Sequence, residues 1–124
     1  MLKEILLEAL STNMSIDDMM QKPEFSIGMM EILTDRMGND ALKYVQIDPH
    51  LCTVLFVSGI MLGADDTKMP RQEIIDIKPY IQLKAKILIF KMLKDSLRTF
   101  MKHKMAYTQI MINGIFYGQE CALK

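Results

Sequence analysis

Thr53-Val54-Leu55-Phe56-Val57-Ser58-Gly59-Ile60-Met61-Leu62-Gly63 decides how this chain is read, because a second stretch repeats its pattern. That stretch is Thr108-Gln109-Ile110-Met111-Ile112-Asn113-Gly114-Ile115-Phe116-Tyr117-Gly118, 55 residues further on. Both fit Thr-x-(Leu/Ile)-(Phe/Met)-(Val/Ile)-(Ser/Asn)-Gly-Ile-x-x-Gly. Glycines four residues apart lie on one face of a helix. A helix-interior glycine costs about 1 kcal/mol relative to alanine. Four of them cost roughly 4 kcal/mol, a large share of a typical stability of about 5–15 kcal/mol. Close helix crossing is the offset that small residues permit. Phe56, Gly59 and Gly63, with Met111, Gly114 and Gly118, are therefore the expected helix-packing or interface residues. They would pack on each other or on copies in a partner subunit.

The likeness reaches beyond the two stretches. Sliding residues 31–65 onto 86–120 without a gap gives nine identities in 35 positions, including Met37/Met92, Asp40/Asp95 and Leu42/Leu97. More weakly, Ile5, Leu7, Ala9, Thr12 and Met14 match Ile60, Leu62, Ala64, Thr67 and Met69, and one residue of slip aligns Lys22-Pro23 with Lys78-Pro79. A fixed period of this kind points to a duplicated structural unit. The expectation is two similar helical units, 31–65 and 86–120, related by pseudo-symmetry within a single domain spanning 1–124.

Apolar spacing and capping residues place the elements. Leu2, Ile5, Leu6, Ala9 and Leu10 predict a first helix. Ser15 caps a short helix over 16–21, with Asp17 and Asp18 in its first turn. Pro23 opens a helix to about Met37, and Gly38-Asn39-Asp40 kinks or interrupts it before 41–47. Asp48-Pro49 starts the helix carrying Gly59 and Gly63. Further helices are expected around 72–77, from Tyr80 unbroken to about His103, and from Met105 to about Ala122. No window alternates with period 2, so the fold class is all-α, a compact bundle of about six to seven helices.

The chain has 124 residues, is half hydrophobic and carries a net charge of zero. That composition belongs to a globular protein rather than a disordered one. The longest apolar run, Leu51–Ala64, is 14 residues, short of the ~20 a membrane span requires. With no leader segment, a cytoplasmic location and no membrane association are expected. The ending Cys121-Ala122-Leu123-Lys124 has the outline of a prenylation box, but lysine is not a usual terminal residue there.

Catalytic, metal-binding and cofactor-binding constellations are not expected. His50, Cys52, His103 and Cys121 have no zinc-ligand spacing, and two cysteines make no disulfide framework. Buried free cysteine is the ordinary state of such residues. Thirteen methionines suit core filling or an adaptable binding surface.

Charge is unevenly spread. Residues 1–79 hold 13 acids and 7 bases, whereas 80–104 hold 7 bases and one acid. On a continuous helix Lys84, Lys91, Lys94, Arg98 and Lys102 fall within about 80° of one another. This basic ridge is the candidate contact for an anionic partner. The plainer explanation is a solvated edge on a central helix, or pairing with the acidic N-terminal part. The expected function is that of a small non-enzymatic interaction protein, an adaptor, regulator or inhibitor of a kind that viruses and mobile elements encode and that host adaptors equally resemble. It would self-associate, with a dimer favoured, and bind a protein partner. The alternative is nucleic-acid binding through the ridge, whose phosphate contacts would be salt-dependent.

Overall fold

The protein is described here from a computed structural model, over residues 2–121. All regular elements among these residues are helical. They are α1 Leu2–Thr12, α2 Ile16–Met20, α3 Pro23–Met37, α4 Asp40–Ile47, α5 Pro49–Asp65, α6 Arg71–Asp76, α7 Lys78–Met92, α8 Leu97–Lys102 and α9 Lys104–Cys121. A 3-10 turn, Lys94–Ser96, joins α7 to α8. Of the expected C-terminal helix, Ala122 lies outside the described residues.

Local chemistry sets the boundaries. Ser15 Oγ accepts from the Asp18 amide at 3.1 Å and caps α2. Asp48 Oδ1 accepts from the Leu51 amide at 3.1 Å, ahead of Pro49 in the first turn of α5. Gly38 separates α3 from α4 at φ 83°, a conformation that side chains with a Cβ disfavour.

One expected helix is corrected. The segment from Tyr80 to His103 is broken at Leu93 (φ −137°, ψ 53°) rather than continuous. Ser96 Oγ donates to Asp48 Oδ2 at 2.7 Å, which ties the turn to the start of α5. The bend directs Phe100 of α8 into the core, where it is fully buried. Asp and Ser compete with helical backbone bonding, so Asp95-Ser96 is a weak point for a continuous helix.

The core is built around α5 and α9. Eleven residues of the seventeen in α5 are buried, as are eleven of the eighteen in α9. The two helices make the most extensive contact in the fold. Gly59 faces Met111 and Gly114, and Gly63 faces Ile115 and Gln119. The contacts advance together along both helices, so the pair runs parallel. A Cβ on Gly59, Gly63, Gly114 or Gly118 would overlap the carbonyl oxygen of Met111, Ile115, Phe56 or Ile60 respectively. Backbone therefore lies where a side chain would stand. These glycines are buried within one molecule, so they are not available to a partner subunit.

The remaining helices cover this pair with Phe25 and Leu33 of α3, Val45 of α4, Ile74 of α6, and Ile81, Ala85 and Ile89 of α7. Tyr107 Oη donates to the Tyr44 carbonyl at 3.0 Å and joins α9 to α4. Glu120, near the end of α9, pairs with Arg36 of α3 and with Arg71 of α6. Among the described residues no single helix is long and apolar enough to cross a membrane. Helices α4 and α5 reach that length together but meet at 113°.

The glycine seam yields a sharp expectation. Gly63→Ala and Gly118→Ala should each destabilise by about 1–3 kcal/mol, because the added carbon meets backbone that can move only by parting two core helices. Gly28→Ala should stay within about 1 kcal/mol of wild type, since its Cβ meets only the Leu2 side chain, at 3.2 Å. Urea unfolding of the three variants checks this, and equal stabilities would refute the seam.

Candidate functional site

Groups capable of chemistry are mostly committed to the fold. Cys52 is fully buried, and desolvation, with the nearby Asp48 carboxylate adding, pushes its thiol up to about 12. A thiol that stays protonated is a poor nucleophile. The Tyr107 hydroxyl is pushed up by burial, with smaller contributions from Cys52 and Asp48. Tyr117 is raised by burial and by the Cys121 thiol that it meets. His50 Nδ1 lies 3.6 Å from the Asp17 carboxylate, and the His103 ring meets the Tyr44 ring edge-on at 5.5 Å. Glu120 is held below the ordinary carboxylate range, chiefly by its hydrogen bond to Arg36. Thr108 Oγ1 and Asn113 Nδ2 are buried without a hydrogen-bond partner. Among the described residues no group of His, Cys, Asp or Glu is arranged to hold a metal ion.

The surface around α7 and α8 is different. Lys84, Lys91, Lys94, Arg98 and Lys102 are all exposed. The bend at Leu93 divides them into Lys84 and Lys91 on α7, Lys94 in the turn, and Arg98 and Lys102 on α8. They therefore do not form one straight ridge. No ion pair joins any of the five to a carboxylate among the described residues. Pairing with the acidic N-terminal part is thus not how they are neutralised. Lys94 Nζ instead lies 5.3 Å from the centre of the Phe90 ring.

The expectation that α7 is a central helix with only a strip exposed is also corrected. Its buried residues are Ile81, Ala85 and Ile89. A second apolar stripe faces outward: Tyr80 is 61% exposed, Leu83 54%, Ile87 49% and Phe90 56%. Its spacing of three, four and three places these residues on one face. Leu83, Lys86, Ile87, Phe90, Lys91 and Leu97 line a groove of about 260 Å³ between α7 and α8. Lys86, outside the expected ridge, is thereby an edge of the groove, whereas Lys84 lines a different cavity with Asp65 and Asp66. The outward stripe was readable as a second set of helical spacings in 80–90. Only packing could show that no element covers it.

Comparison with protein-family models, curated proteins and solved structures returns no match.

Burial of Cys52 carries a pH signature. Its folded value of about 12 lies above the ordinary 9.0, so the unfolded chain loses this proton first. The stability tied to the protonated thiol is complete below about pH 9 and is lost as pH rises toward the folded value. Tyr107 and Tyr117, raised in the same direction, extend the decline at higher pH. Denaturant titrations across this range should show the loss, and Cys52→Val should remove the part that begins near pH 9.

Proposed function

We propose that this chain is a non-enzymatic interaction protein, an adaptor, regulator or inhibitor acting in the cytoplasm, which self-associates and binds a protein partner. The observation carrying this reading is the outward stripe Tyr80, Leu83, Ile87 and Phe90, set among lysines that no carboxylate among the described residues neutralises. Exposed aromatic and aliphatic side chains beside unpaired charge are what a protein interface buries.

We also propose that the two halves descend from a duplication and keep a pseudo-twofold relation. Its support is the recurrence of helix bounds: α3 at 23–37 and α7 at 78–92, α4 at 40–47 and the turn plus α8 at 94–102, α5 at 49–65 and α9 at 104–121. The reciprocal glycine contacts support it too, since Gly59 meets Met111 as Gly114 meets Phe56.

Nucleic-acid binding is the second reading, favoured by the unpaired cations of α7 and α8. The zero net charge of the chain counts against it, because nucleic-acid-binding domains are usually basic. The test uses Ile87→Ser/Phe90→Ser, whose exposed positions should leave the melting temperature close to wild type. Expected are loss of self-association by light scattering and no binding of labelled DNA or RNA by either protein. Micromolar wild-type binding that falls steeply with salt and vanishes in Lys91→Glu/Lys94→Glu/Arg98→Glu would reverse the order of the two readings.

A further inference from the structure

We infer that the protein assembles head to tail: an acidic-edged groove on α3 and α4 of one copy seats against the basic-edged groove on α7 and α8 of the next. The inference rests on the self-association proposed above and names the surfaces that carry it.

The acidic groove is shallow and open to solvent, about 480 Å³ in volume, and lined by Ile27, Met30, Glu31, Thr34, Asp35 and Leu42. The basic groove is lined by Leu83, Lys86, Ile87, Phe90, Lys91 and Leu97. The five α3 positions, advanced by 56 residues, are the five α7 positions, and Leu42 advanced by 55 is Leu97. The buried faces align at 56 too, Phe25, Met29 and Leu33 with Ile81, Ala85 and Ile89, one residue off the 55 of the ungapped repeat, so structurally equivalent places on two helix pairs carry grooves of the same design with opposite charge. Met30 stands where the other groove has Lys86, and Asp35 where it has Lys91. Both grooves have exposed apolar side chains, with Ile27 at 50% and Leu83, Ile87 and Phe90 near that value or above.

The charges are free to meet a partner. Glu31, Asp35, Lys86 and Lys91 make no ion pair among the described residues. Over residues 23–47 there are four acids and two bases, and one of those bases, Arg36, is held by Glu120. Over 78–102 there are seven bases and one acid. Joining two basic grooves would set Lys86 and Lys91 against their own copies, a like-charge juxtaposition that suppresses that contact. Unlike grooves attract. They share no lining residue, so one molecule offers both, and each contact leaves one groove free at either end. A contact between unlike surfaces propagates into a ring or an open chain.

Two charge-reversal variants test this: Glu31→Lys/Asp35→Lys, with two basic grooves, and Lys86→Glu/Lys91→Glu, with two acidic ones. Each is examined by sedimentation velocity and circular dichroism, alone and as an equal mixture. Wild type should associate in about 50 mM salt and weaken in about 500 mM. Each variant alone should fold and associate roughly a hundredfold or more weakly. The mixture should recover association, because one native pair of grooves is restored. Wild type that stays monomeric throughout overturns the inference together with the self-association reading. Association that persists undiminished in both variants, or fails to recover on mixing, overturns the groove assignment and leaves self-association standing. A monomeric wild type that binds an acidic amphipathic peptide, and loses it in Lys86→Glu/Lys91→Glu, assigns the basic groove to a different protein.

Discussion

Backbone-to-backbone contact between α5 and α9 is the constraint on which the rest of the structure depends. Carbonyl oxygens of Phe56, Ile60, Met111 and Ile115 occupy the space a Cβ would need at Gly114, Gly118, Gly59 and Gly63. Two helices this close gain dispersion along their whole seam, and Cα–H donors face carbonyl acceptors across it. That gain offsets the roughly 1 kcal/mol per residue of intrinsic helix stability that each glycine forfeits. Because the pair is parallel, the chain must travel from the end of α5 back to the start of α9. Helices α6, α7 and α8 make that return.

The return path determines which surfaces stay open. α7 packs inward through Ile81, Ala85 and Ile89, all of them small or β-branched, and this narrow face suffices to seat it. The bend at Leu93 then sends α8 inward at Phe100, while Asp48 holds the turn through Ser96. The outer stripe of α7 is left without cover. The same geometry exposes Ile27 and Met30 on α3, which packs inward through Phe25, Met29 and Leu33. Apolar side chains thus remain at the surface because α3 and α7 each reach the core through one stripe while carrying two.

Much of the architecture was legible in the chain. Ser15, Pro23, Asp48 and Pro49 mark helix starts by hydrogen bonding and by fixed φ. Gly38 marks a break. The paired glycines announce a close crossing because nothing else compensates their cost. The turn at Leu93 is hard to read as a break, since Lys91-Met92-Leu93 on one side and Leu97-Arg98-Thr99 on the other continue a helical pattern, and Asp95-Ser96 between them is only a weak point. What fixes the break there is nonlocal: the hydroxyl of Ser96 meets a carboxylate 48 residues away.

By itself, then, the sequence determined an all-helical chain, the positions of most helix ends, and the two helices built for close crossing. Those properties follow from spacing, capping and the absence of side chains, which act over a few residues. Tertiary structure alone decided that the glycines face each other within one molecule, and that the lysines of α7 and α8 have no carboxylate partner among the described residues. It also decided that the stripe Tyr80, Leu83, Ile87 and Phe90 faces outward. An apolar stripe on a helix records only that a surface resists water. Which surface meets it depends on where the other helices have room to pack, and here the close α5–α9 seam sets that room.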